Sequence, residues 1–271
     1  MTNIKMVAID IDGTLLNSKG ELTPKVKETI KKATQKGVKI VLCTGRPTKG
    51  VENLLNELDL MSDEQYVISY NGSLVQSTNK KQIVQSYSFT FKELDEIREL
   101  ADTLQVHYHA AGDDALYTTN RMIGIYTAYE SVLVNMPIAY RTIDELKNIN
   151  LNPYKMMFVD EPHILDDVLL RIPQTIKEKY FLVKSAPFYL EILNKDTNKG
   201  NAVAALATFL NIDLSQVMAI GDNDNDIDMI DVAGYGVAMG NAVDRVKEHA
   251  TYMTTSNDED GVAHILEELV L

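Results

Sequence analysis

Asp10 and Asp12 stand two residues apart directly after a short apolar run, Met6-Val7-Ala8-Ile9, and Asp222 closes a second such run, Val217 to Gly221. Carboxylates brought together in a dry cleft repel one another, and a hard, oxygen-preferring cation is the ordinary remedy. Mg²⁺ is the natural candidate. Softer metals are disfavoured, because the chain has one cysteine, Cys43, and no helical His-Glu-x-x-His. His107 and His109 alternate on an expected strand and would offer two nitrogens to one side, with no third ligand nearby. Cys43 closes a third apolar run and reads as a small buried hydrophobe. That run leads into Thr44-Gly45-Arg46, which adds a hydroxyl to the inventory.

Residues this far apart need a scaffold that brings strand ends together. Apolar runs at 6–9, 38–43, 66–69 and 217–220 alternate with helical spacings at 25–36, 48–58, 201–210, 227–232 and 262–269. Short, continuously apolar strands alternating with helices predict an α/β fold with a doubly wound, Rossmann-like parallel sheet. In such a sheet the ligand crevice lies beyond the carboxyl ends of the strands, where Asp10, Asp12, Thr44 and Asp222 would converge. From about residue 83 the texture changes to α+β, with strands expected at 106–110, 115–119, 155–159, 180–184 and 189–193 and helices at 92–104, 143–148 and 164–177. The economical organisation is a core of residues 1–82 and 190–271 with an inserted domain over 83–189.

The 271 residues carry 26 basic and 39 acidic side chains, a formal net charge of −13. A basic stripe for a phosphate backbone is absent, which argues against nucleic acid as a partner. A phosphorylated small molecule stays open, since a bound cation supplies local positive charge. A lone cysteine excludes an intrachain disulfide and suits a reducing, cytoplasmic setting. No stretch reads as a signal peptide or a membrane span. Asp224, Asp228 and Asp231 read as ordinary helix-start and surface acids.

Asp10-Ile11-Asp12-Gly13-Thr14, then Thr44-Gly45-Arg46, then Lys199-Gly200, then Gly221-Asp222-Asn223-Asp224-Asn225-Asp226 resemble, in order, the four motifs of the haloacid dehalogenase superfamily. With Asn71-Gly72 and an insertion after the second motif, the chain is similar to the Cof-type subclass IIB, whose α+β cap sets substrate specificity. The resemblance implies a Mg²⁺-dependent phosphatase working through an aspartyl-phosphate. Asp10 would attack phosphorus and Asp12 would serve as acid and then base. Thr44 and Lys199 would hold phosphoryl oxygens, while Asp10, Asp222 and the Asp12 carbonyl would hold the metal, with Asp226 and Asn225 beside it. Gly13, Gly45, Arg46, Asn71, Asn225 and, in the insertion, Lys155 would contact substrate. Small sugar phosphates are the expected substrates, with pyridoxal phosphate, flavin precursors and nucleotides as alternatives. A phosphomutase is disfavoured by the short interval between the first two motifs. An idle binding protein is disfavoured because Asp10, Asp12, Lys199 and Asp222 are all kept.

Overall fold

The computed structural model describes residues 3–271. In chain order its strands are β1 (Met6–Ile9), β2 (Lys39–Cys43), β3 (Tyr66–Ser69), β4 (Leu74–Ser77), β5 (Ile83–Ser86), β6 (His107–Ala111), β7 (Leu116–Thr118), β8 (Ile138–Tyr140), β9 (Lys155–Val159), β10 (Tyr180–Ala186), β11 (Tyr189–Asn194), β12 (Val217–Gly221), β13 (Tyr235–Ala238) and β14 (Tyr252–Met253). The chain divides into two units, one of residues 1–45, 52–85 and 198–271 and the other of residues 46–51 and 86–197.

In the first unit the sheet order is β14-β13-β12-β1-β2-β3-β4-β5. From β14 to β3 every neighbour is parallel, and β4 turns back antiparallel on β3. Burial on both faces explains why β1, β3 and β12 are apolar almost throughout, since all their residues are buried. β1 lies between β12 and β2, so the winding reverses beside it and opens a crevice at the carboxyl ends. The doubly wound α/β expectation holds. The helix Pro24–Gln35 begins where its sequence signals say: the Thr23 hydroxyl accepts from the Val26 N–H at 3.3 Å, and Pro24 occupies the first turn.

In the second unit the sheet order is β10-β11-β9-β6-β7-β8, antiparallel except for β7 with β8. One face, with Tyr108, Ala110, Met156, Phe158, Leu190 and Ile192, packs with Leu94 and Ile97 of the helix Phe91–Leu104 and with Leu165 and Val168 of the helix Pro162–Arg171. The pleat turns His109, Lys155, Met157 and Glu191 to the opposite face.

The structure differs from the sequence-based expectation at four places, and two of the differences have a direct physical cause. The second unit runs to Thr197 rather than 189, because β11 pairs on both sides, with β10 and β9. The expected helix over 164–177 is two helices, Pro162–Arg171 and Gln174–Lys179, since Pro173 forces Ile172 into an extended backbone (φ −59°, ψ 125°). The helix expected over 48–58 is a 3₁₀ turn, Thr48–Val51, followed by a short α-helix, Glu52–Glu57. The helix Ile125–Leu133 and strand β8 had no counterpart in the reading.

His109 is fully buried, with its Nδ1 3.5 Å from the Thr127 hydroxyl and its Nε2 without a partner. Burial first, and then the nearby Lys155 charge, lower its pKa from 6.5 to about 3. Between those values the unfolded chain binds the proton and the folded one does not. Stability from this group is therefore full above about pH 6.5 and falls on acidification by at most about 1.4 kcal/mol per pH unit. Urea unfolding at pH 7, 6 and 5 is expected to show a steeper loss for the wild type than for His109→Gln; parallel pH profiles would refute the assignment.

Candidate active site

Lys199 occupies the first turn of the helix Lys199–Phe209, capped by the Asn198 side chain, which accepts from the Asn201 N–H at 2.6 Å. There its Nζ donates to Asp10 Oδ1 at 2.5 Å and to Asp226 Oδ1 at 2.6 Å, with all three side chains almost completely buried. Burial works against the charge of Lys199, but Asp10 and Asp226 outweigh it and hold its pKa above the ordinary lysine range. Burial, and then the Asp226 charge, push the Asp10 carboxyl well above the ordinary carboxylate range despite Lys199. One ammonium faces more negative charge than it can neutralise.

Parallel register sets these positions. Ile9 pairs with Leu42 on one side and Ile220 on the other, so the residues that follow, Asp10, Cys43-Thr44 and Gly221-Asp222, emerge at one level. The Asp10 N–H extends the ladder to the Ile220 carbonyl at 3.0 Å, and the Thr44 N–H to Ile68 at 2.9 Å. The Asn71 N–H reaches the Thr44 carbonyl at 2.9 Å, and the Asn71 side chain accepts from Asn225 Nδ2 at 3.1 Å, which ties the β3 and β12 ends together. Gly45 lies against this Asn71 amide.

Asp10, Asp222 and Asp226 each place a carboxylate oxygen within 4.8 Å of the others, the one such group of His, Cys, Asp and Glu among the described residues. The donor set fits a hard divalent cation: three oxygens, no sulfur or nitrogen, and unbalanced negative charge. Burial raises the Asp222 pKa to about 6, against the Thr14 hydroxyl, which donates to its Oδ1 at 2.9 Å. Asp226 is the most committed of the three. Its Oδ1 takes Lys199, and its Oδ2 takes the N–H groups of Asp222 and Asn223 at 2.9 and 3.0 Å. Asp226 therefore also shapes the turn that presents Asp222.

Gly13 follows Asp12 with φ +84°, and a Cβ there would lie 2.9 Å from Asp222 Cγ. Only glycine lets the β1 loop pass so close to Asp222 in that backbone conformation. Asp12, on the same loop, is exposed and outside the three-carboxylate group. Cys43 sits buried beneath the site, and burial pushes its thiol far above the usual range, so it stays protonated as expected of a packing residue.

Lys155 falls in the second unit as expected, and Arg46, expected within the core of residues 1–82, groups with the second unit as well. The turn Arg46–Val51 leaves the sheet with it, and its charge acts on Glu130. Lys155 is buried, with Nζ 3.3 Å from Glu191 Oε1. Glu130, on the helix Ile125–Leu133, has its pKa raised by burial and lies within reach of the Lys155 and Glu191 charges and of the Tyr189 hydroxyl. Glu130, Glu191 and Tyr189 were missed by sequence reasoning, and His109 was read only as one of two alternating strand histidines; the antiparallel register of β6, β9 and β11 sets His109, Lys155, Tyr189 and Glu191 on adjacent strands, and Glu130 comes from the helix Ile125–Leu133. His107 is bound to Asp160 through Nδ1 at 2.8 Å, so neither histidine joins a metal group among the described residues.

The family model for haloacid dehalogenase-like hydrolases matches residues 7–266. The chain belongs to that family. YxeH of Bacillus subtilis (strain 168), named only as a candidate phosphatase, is 47% identical over 267 residues, with 98% of each chain covered. YwtE of the same organism, named 5-amino-6-(5-phospho-D-ribitylamino)uracil phosphatase, is 30% identical with 98% of each covered. A solved haloacid dehalogenase-like hydrolase from Bacteroides thetaiotaomicron superposes with a TM-score of 0.90 at 32% identity, over 98% of this chain and 99% of that one. The family read from the four motifs is thus borne out, and the motifs fall at the carboxyl end of the first sheet. No helix among the described residues is long and apolar enough to cross a membrane.

Proposed function

We propose that this hydrolase is a Mg²⁺-dependent phosphatase of small phosphorylated polyols, sugar phosphates foremost, acting through a phosphorylated Asp10. The observation that carries the reading is the Asp10 carboxylate held by Lys199 Nζ at 2.5 Å, beside Asp222 and Asp226, at the mouth of β1. An oxygen of Asp10 attacks phosphorus and the ester C–O–P bond breaks on its phosphorus side. Asp12, exposed on the following loop, gives its proton to the departing alkoxide. It then takes a proton from the water that hydrolyses the acyl phosphate and releases inorganic phosphate.

Asp10, Asp222 and the Asp12 carbonyl hold the cation in this reading, with Asp226 bracing them. The metal supplies charge neutralisation and alignment of phosphoryl oxygens. The Thr44 hydroxyl and the Lys199 ammonium donate to phosphoryl oxygens, where contacts strengthen as charge develops. Gly13 and Gly45 keep the backbone open to the phosphoryl group, and the bonded pair Asn71 and Asn225 donates at its edge.

The second unit is proposed as the specificity domain. Arg46, Lys155, Glu191 and Glu130 combine donors and carboxylate acceptors suited to hydroxyl groups, and their charges nearly cancel, which disfavours a second anionic group on the substrate. A ribityl phosphate, the ester class in the name of YwtE, is also a polyol phosphate and is the second reading. The single cysteine, Cys43, has no partner for an intrachain disulfide and suits a reducing, cytoplasmic compartment. No nucleic acid or membrane partner is proposed.

Phosphate release from sugar phosphates, a ribityl phosphate, pyridoxal phosphate, nucleotides and an aryl phosphate, each with Mg²⁺ and with chelator, tests the reading. Chelator is expected to lower every rate at least about 100-fold, with the best kcat/KM among polyol phosphates. Release that is indifferent to chelator, or best with nucleotides, would overturn it.

A further inference from the structure

The loop that carries Asp10 and Asp12 is gripped by residues more than two hundred positions away. Asn241, in the turn after β13, donates from Nδ2 to the Gly13 carbonyl at 2.8 Å. Its Oδ1 accepts the backbone N–H of Asn257 at 2.9 Å, and Asn257 Nδ2 donates to the Leu16 carbonyl at 2.9 Å. Two neighbouring contacts extend the grip: the Ser18 N–H donates to Asp258 at 2.8 Å, and the Thr23 hydroxyl to Asp260 at 2.5 Å.

The Asn241 amide can face only one way. The Asn257 N–H is a donor and the Gly13 carbonyl an acceptor, so oxygen must meet the first and nitrogen the second. An aspartate here would set an oxygen against the Gly13 carbonyl. The turn itself is fixed to the metal-side strand end, because the Val243 N–H donates to the Asp222 carbonyl at 3.0 Å and the Met239 N–H to Gly221 at 3.1 Å. Asn241 thus references the loop to the backbone that presents Asp222.

The gripped carbonyls, Gly13 and Leu16, bracket the turn that follows Asp12. Within it the Leu15 N–H reaches the Asp10 carbonyl at 3.1 Å and the Leu16 N–H reaches Ile11 at 3.0 Å. Asp12 is exposed at the start of this turn. We infer that Asn241 and Asn257 are positioning residues that hold the 12–16 turn so that the Asp12 carboxyl meets the leaving-group oxygen. The catalytic half of this inference rests on the phosphatase reading; the structural half does not.

The test combines leaving-group dependence with amide exchange, on full-length protein. Asn241→Ala and Asn257→Ala are each expected to lose about 10- to 100-fold in kcat/KM on alkyl phosphates, whose alkoxide needs the proton. They should lose less than about 3-fold on p-nitrophenyl phosphate, which leaves without it. Asn241→Asp should lose more than Asn241→Ala, and Asn241→Gln less. Hydrogen exchange at Leu15 and Leu16 should accelerate at least about 10-fold in both alanine variants. Equal losses on both ester classes, or no loss, would overturn the catalytic half. Unchanged exchange at Leu15 and Leu16 would overturn the whole. A wild type that releases phosphate from no ester would overturn the phosphatase reading and the catalytic half with it, while exchange still decides whether the two asparagines hold the turn.

Discussion

Asp10→Asn is expected to cut turnover by at least about 10⁴-fold while leaving the melting temperature unchanged or raised. The amide is a poor nucleophile for phosphorus, so the first displacement fails whatever the other groups do. The stability half follows from the charge balance. Lys199 serves two buried carboxylates, Asp10 and Asp226, and the Asp10 carboxyl already has a pKa well above its ordinary value because of burial. A folded-state pKa above the unfolded one means that the folded protein binds the extra proton, so wild-type stability falls as pH rises through that window. The variant has no such proton to lose. In chelator, its melting temperature should gain on the wild type as pH goes from 5 to 8. Normal turnover by the variant would remove the covalent mechanism, and a large drop in melting temperature would refute the charge balance.

Much of the site could be read because it sits where buried strands stop. A run such as Met6-Val7-Ala8-Ile9 has to be apolar when both faces are covered, so the first polar residues after it, here Asp10 and Asp12, stand out. Thr44 and Asp222 stand out in the same way. Lys199 does not: a Lys-Gly dipeptide opening a helix is common, and only the resemblance singled it out. The fold makes it the central cation by placing the first turn of its helix against Asp10 and Asp226.

The insertion was harder to read. The helix Ile125–Leu133 buries Thr127 and Glu130 and exposes Ile125, Tyr129, Val132 and Leu133, the reverse of the pattern that marks an amphipathic helix. Lys155 was legible as a strand-start residue, but its partner Glu191 is 36 positions on, joined through an antiparallel register that sequence spacing does not reveal. Asn241 and Asn257 lie in turns with no apolar rhythm at all.

Lys199→Met should destabilise the protein by about 3–5 kcal/mol, because it leaves Asp10 and Asp226 buried without their cation. At about 2–4 °C per kcal/mol for a chain of this size, the melting temperature should drop by roughly 6–20 °C. Turnover should fall by about 10³-fold, since a donor to the phosphoryl oxygens is lost as well. Ordinary core damage would produce a similar drop, but not its pH dependence. With Lys199 gone, each carboxylate sees only negative neighbours, and the folded state gains most by taking up a proton. The deficit should therefore shrink as pH falls from 8 to 5.5, and shrink again when Mg²⁺ is added. The double variant Lys199→Met, Asp10→Asn supplies the sharper check. If the cost is an uncompensated charge, removing Asp10 as well should restore at least about 1 kcal/mol, a non-additivity of the size seen for residues in direct contact. A deficit constant in pH, with strictly additive losses in the double variant, would show that Lys199 is held by packing rather than by the two carboxylates it joins.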